Sequence, residues 1–169
     1  SKINPNSNDL QINKLLEDLE KESNQIKRIE LCTKILMKDE KNVVAILSLF
    51  YDCCEMKDFD SAKEKYGQLE SLTPPGCIPP YDLRAHLHIR MEEYEKAIEC
   101  CDKILSIHPK NVGSLTYKIR ALSLLNKIDN KLLELCERLL GIEPHNARIY
   151  RIIIFTPQSF KVSHSPKIL

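Results

Sequence analysis

One phrase returns along this chain. "KILMKDEKN" ends at Asn42, "KILSIHPKN" at Asn111 and "RLLGIEPHN" at Asn146, each placing an apolar pair, a turn and a helix-capping asparagine in the same order. The asparagines are separated by 69 and 35 residues, so one copy is missing, and "QLESLTPPG" supplies it. Its Pro74 lies 35 residues before Pro109, which lies 35 before Pro144, and Glu40 holds the same place 34 before Pro74. A repeat of this length constrains the fold strongly. A single unit cannot bury its own apolar face, whereas stacked units share a continuous core, so the period points to a helical solenoid.

Apolar spacing within the units predicts helices in pairs and no strands. Asn8 and Asp9 stand where a cap would open a first helix carrying Ile12, Leu15, Leu16 and Leu19. Ile26, Ile29, Cys32, Ile35 and Leu36 form the stripe of a second, which stops near Asp39. Asn42 can cap a third helix running from Val43 to near Met56, and Asp58 a fourth on which Ala62, Tyr66 and Leu69 share a face. Further helices are expected over 81–91, 94–107, 111–125 and 129–142, joined by the short turns usual between antiparallel helices. "ARIYRIIIF" begins another at Ala147, which Pro157 cuts off, leaving a fifth unit incomplete. "TPPGCIPP", residues 73–80, disfavours helix. It reads as an extended inter-repeat turn, because the repeat phase runs across it, or as a flexible domain boundary. The expected organisation is an extension over 1–8, a repeat domain over 9–155 and an extended or disordered tail over 156–169.

Composition removes several function classes. With 25 basic and 24 acidic side chains the formal charge is +1, far from the positive field that nucleic-acid binders use, so no nucleic acid is expected. The charge is uneven. Residues 1–72 hold 11 basic and 14 acidic side chains, leaving 14 basic and 10 acidic to the rest, which is the better home for an anionic partner. Cys32, Cys53, Cys54, Cys77, Cys100, Cys101 and Cys136 include no CxxC pair, so no metal is expected. Several occupy apolar helical positions, where a thiol packs as a small hydrophobe. Their odd number, with no signal peptide, suits a reducing compartment, the cytoplasm or alternatively the nucleus. No apolar run approaches the roughly 20 residues of a membrane span, so no membrane insertion is expected. His86 and His88 lie two apart and face different directions on a helix, and no phosphate loop, nucleophile elbow or paired-carboxylate motif appears. No catalytic residue and no cofactor is therefore assigned.

Twelve, eight and 24 residues before Pro109 stand Ala97, Cys101 and Ala85, and Tyr81 opens the same unit. These match the small, apolar, small and bulky first-helix positions of the tetratricopeptide repeat, TPR, which the units resemble. Pro74 is preceded at the same distances by Ala62, Tyr66 and, in place of the second small residue, Phe50. Leu132 and Cys136 precede Pro144, with Ala121 one place out of phase, while Arg28 occupies the small-residue site of the first unit. "YEKAIECCDKILSIHP", residues 94–109, is the most specific match. Trp and Gly are absent from the usual first-helix sites, and no subfamily is identified.

The resemblance implies an all-α fold: a right-handed superhelical α-solenoid of antiparallel helix hairpins, with about four repeats and a partial fifth. It also implies a non-catalytic adaptor or scaffold whose concave groove, lined by first helices, binds a peptide or helix of a protein partner. In this phase the lining includes Ser48, Tyr51, His86, Arg90, Tyr117, Arg120, Arg148 and Arg151, grading from neutral to basic. Arginine forks suit carboxylates and tyrosines offer flat contact area, so an acidic segment is the expected ligand. The other reading is that these arginines only keep an exposed face solvated. Some relatives clamp the acidic tails of heat-shock chaperones with lysine, asparagine and arginine, but Leu47, Tyr51 and Leu83 occupy corresponding places here. The alternative function is that of a structural subunit of a larger assembly, self-associating or docking through the open C-terminal end.

Overall fold

The computed structural model describes residues 7–155 and is all-α, with no strand among them. Its helices are α1 (Ser7–Lys21), α2 (Gln25–Lys38), α3 (Val43–Glu55), α4 (Phe59–Ser71), α5 (Tyr81–Arg90), α6 (Tyr94–Leu105), α7 (Val112–Leu124), α8 (Asn130–Ile142) and α9 (Ala147–Phe155). The chain divides into two compact units, residues 1–80 and 81–169, and the division falls at the end of the proline-rich segment 73–80. The tail 156–169 and most of the extension 1–8 lie outside the described residues.

Six helix starts are fixed by the side chain before them. Asn24, Asn42, Asp58, Asn111, Asp129 and Asn146 each accept a hydrogen bond from the backbone N–H three residues on. Each such cap contributes about 1 kcal/mol. α1 begins at Ser7, so Asn8 and Asp9 lie inside it rather than ahead of it; the Asp9 carboxylate sits in the first turn, against the positive end of the helix dipole.

The repeat also appears in the backbone. Lys57, Glu92 and Asn126 adopt left-handed conformations with φ of 60°, 63° and 55°, and they follow one another at 35 and 34 residues. Each follows a helix C-terminus and closes it in the same way. The N–H of the next residue, Asp58, Glu93 or Lys127, donates to the carbonyl five back (Cys53, His88, Leu122), and the left-handed residue's own N–H donates three back. This pair of hydrogen bonds is the Schellman closure, normally built on glycine.

In unit 1, α2 packs on α1 and on α3, and α3 packs on α4. Leu19, Cys32, Ile35, Ala45 and Leu49 form a buried cluster. Ile26, expected on the buried stripe of α2, is 70% exposed. It stands in the first turn, and Ile29, Cys32, Ile35 and Leu36 carry the packing without it. In unit 2, α6 packs on α5 and α7, α5 also meets α7, α8 packs on α7, and α9 on α8. One cluster joins Ala85, Ile89, Ala97, Cys100, Cys101 and Ala121. A second joins Leu115, Ile119, Leu132, Leu135, Cys136, Leu139 and Ile149. The residues counted back from the closing prolines are deeply buried: Phe50, Ala62, Ala85, Ala97, Cys101, Leu132 and Cys136 are all 0% exposed. Where two helices approach closely there is room only for short side chains or for ones that fill the gap between neighbours.

Candidate functional site

The two units present separate surfaces with different chemistry. In unit 1, α1 and α3 flank an open groove of ≈ 740 Å³. Ser48 and Tyr51 line it, together with Val44 and Leu47 from α3 and Asn13, Leu16, Glu17, Leu19 and Glu20 from α1. The α1 residues were absent from the sequence-based lining, which took its first helices from Val43 onward. Their signal was present: Leu16 stands 24 before Glu40, as Ala85 does before Pro109. With α1 in place the charged groups of this lining are the acidic Glu17 and Glu20, while Ser48 and Tyr51 carry no charge.

Between α2 and α3 lies an ion pair that sequence reasoning did not anticipate. Arg28, the misfit at a small-residue site, reaches Asp52 on α3 with both arms of its fork: Nε donates to Oδ2 at 3.3 Å and Nη2 pairs with Oδ1. Its Nη1 donates to the Ser23 carbonyl at 3.2 Å. Asp52 is 2% exposed, and the hydrogen bonds that the guanidinium donates to its carboxylate hold the guanidinium pKa above the usual arginine value.

In unit 2 the structure brings two of the expected residues into contact. The rings of His86 on α5 and Tyr117 on α7 meet edge to face, centroids 5.8 Å apart at 64°. Arg90 lies one turn beyond His86, and Arg120 about one turn beyond Tyr117, so each shares its helix face with one ring of the pair. Arg90 is half-buried and Arg120 is exposed. Arg148 and Arg151 are exposed on α9, three residues apart, while Ile149 between them is buried in the core with α7 and α8. His88 turns to the α5–α6 corner, with Nδ1 3.8 Å from Glu93, which also pairs with Lys96. The two histidines thus point to different neighbours, as their spacing requires.

The thiols are packing groups. All but Cys77 are buried. Burial pushes the Cys136 thiol up to about 11 and that of Cys101 to about 12, so both stay protonated at neutral pH. Burial also raises Cys32, with a hydrogen bond to Ser48 opposing it. Among the described residues no group of three or more His, Cys, Asp or Glu side chains is placed to hold a metal ion. No described helix is long and apolar enough to cross a membrane.

No protein-family model matches this chain. Over 80 residues it is 31% identical to Protein PHOX3 of Arabidopsis thaliana, a match that takes in 44% of this chain. The chain spans about a tenth of that protein's length.

Proposed function

We propose that this chain is a TPR-like helical repeat protein, a non-catalytic adaptor or scaffold working in the cytoplasm, and that the first helices of the repeats in unit 2 bind an acidic segment of a partner protein. The observation that carries this reading is the surface of unit 2. Exposed Arg120, Arg148 and Arg151, with the half-buried His86–Tyr117 pair and Arg90, combine flat ring area with forked cationic donors on regular helices. Such donors pair with carboxylates in bidentate geometry, and aromatic groups beside them add contact at little entropic cost. The pattern of fully buried positions before Pro74, Pro109 and Pro144 supports the TPR-like solenoid arrangement of helix hairpins.

The test is titration of a fluorescein-labelled peptide rich in Asp and Glu, with a free C-terminal carboxylate, into the chain and into an Arg120→Glu/Arg151→Glu variant. Binding that weakens as salt rises and disappears in the variant is expected. Equal binding by both proteins rejects the basic surface as the site.

A second reading rests on α9, where Tyr150 is 45% and Ile154 65% exposed. An apolar helix with large exposed side chains suits the interface of a structural subunit. That reading requires sedimentation to show association that grows with concentration and is removed by Ile154→Glu; a monomer at all concentrations rejects self-association.

A further inference from the structure

Helix α3 is apolar on two sides. Its inward side buries Ala45, Ile46, Leu49, Phe50, Cys53 and Cys54. On the other side Val44 is 55% exposed, Leu47 half-buried and Tyr51 37% exposed, spaced three and four residues apart so that they form one stripe along the groove. A helix that is apolar all round ordinarily has both sides covered, and apolar surface gathered in a cleft marks a binding site rather than a solvated face.

The opposite wall says what kind of cover fits. Leu16 and Leu19 of α1 continue the apolar floor, while Glu17 and Glu20 are exposed on the rim. These carboxylates are the charged groups of the lining, and neither forms a salt bridge or side-chain hydrogen bond with another described residue. Asn13 and Ser48 add neutral polar groups able to meet a peptide backbone. The groove's ≈ 740 Å³ falls within the range of about 300–1,000 Å³ found for ligand clefts.

We infer that the α1/α3 groove of unit 1 docks a basic segment of a partner protein, one in which lysine or arginine flanks large apolar side chains. The apolar groups cover the Leu16, Val44, Leu47 and Tyr51 floor, and the cations meet Glu17 and Glu20. An acidic segment would set its carboxylates against these two, a repulsive pairing that excludes the wrong ligand. This goes beyond the acidic-ligand reading of unit 2. The two sites call for ligands of opposite sign on different units, so either reading can fail while the other stands.

The experiment is selection of a random displayed peptide library on the full chain, followed by titration of a fluorescein-labelled copy of the strongest basic binder. The selected peptides should include a family that combines Lys or Arg with Leu, Ile, Phe or Trp. The binder should lose about tenfold in affinity, some 1.4 kcal/mol, on Glu17→Lys/Glu20→Lys. It should lose at least as much on Val44→Asp and be unchanged by Arg120→Glu/Arg151→Glu. All these positions are exposed, and circular dichroism verifies that each variant keeps its helices. The absence of such basic, apolar peptides from the selection, no enrichment over an unrelated protein, or a binder indifferent to the Glu17/Glu20 reversal overturns the proposal, whereas acidic peptides lost on Arg120→Glu/Arg151→Glu report on unit 2 alone.

Discussion

Replacing Arg28 by methionine removes the cation from a buried pair while keeping much of the side-chain stem. Asp52 is then left with a side chain only 3% exposed and no opposite charge. Breaking a buried pair in this way costs about 3–5 kcal/mol, because the remaining charge is still desolvated. The low end, about 3 kcal/mol, applies here, since the Arg28 side chain is 28% exposed and part of the pair's attraction is already screened by water. The opposite single change, Asp52→Leu, should cost less. The arginine left behind can swing its guanidinium toward solvent and keeps its bond to the Ser23 carbonyl. Combining the two removes both charges, and apolar replacement of a whole pair is often neutral or stabilising. The double variant should therefore be more stable than Arg28→Met alone by at least about 2 kcal/mol. Urea unfolding followed by far-ultraviolet circular dichroism measures all four proteins. If Arg28→Met falls within about 1 kcal/mol of the parent, or if the two single losses simply add in the double variant, the claim that Asp52 is held by Arg28 is wrong.

In the native protein Cys77 should react with a thiol reagent within minutes and the other six cysteines only on unfolding, which intact-mass spectrometry reads directly. The raised thiols also set an alkaline limit. Their folded pKa values of about 11 and 12 exceed the unfolded value of 9.0, so the stability they contribute is intact below pH 9 and is lost as pH rises through 11 to 12. Urea midpoints across that window should fall, and Cys101→Ala/Cys136→Ala should flatten the fall. Lys57→Gly and Glu92→Gly should each stabilise by up to about 1 kcal/mol by relieving left-handed strain at a side-chain-bearing residue, with a smaller gain for Asn126→Gly because asparagine tolerates that conformation; thermal unfolding decides. Ser114 is 0% exposed and its hydroxyl has no hydrogen-bond partner among the described residues, so Ser114→Ala should be neutral or stabilising by up to about 2 kcal/mol in the same assay, whereas a loss would reveal a hidden partner.

Helices were the most legible part of this sequence, because period and punctuation agreed. Asn42, Asp58 and Asn111 each read as caps, and each accepts a backbone N–H at a helix start. The left-handed turns were hidden, because Lys57 and Glu92 stand where glycine would have announced them. Arg28 showed itself only as a departure from the pattern. Its partner lies 24 residues away, and nothing local in "DCC" marks Asp52 as buried. Of the eight groove candidates, Ser48 and Tyr51 line a shared surface and His86 touches Tyr117. The sequence could place each on a helix face, but the α1 wall that changes the sign of the first surface appears only when α1 is counted in the repeat phase.

The two candidate surfaces follow from how a repeat separates its tasks. At the buried signature positions a change of one methylene is felt, so alanine, cysteine and leucine recur there with little freedom. The outward positions of the same helices touch little, and substitutions at such sites usually move stability by no more than about 0.5 kcal/mol. Charge there is set by what the surface meets and hardly at all by what the fold needs. Glu17 and Glu20 on one unit and Arg120, Arg148 and Arg151 on the other can thus differ in sign on similar helices without strain. The same separation makes charge reversal a clean probe of either surface: a reversed side chain at an exposed site leaves the core below it intact, so a change in binding reports the ligand's charge and not the loss of the fold.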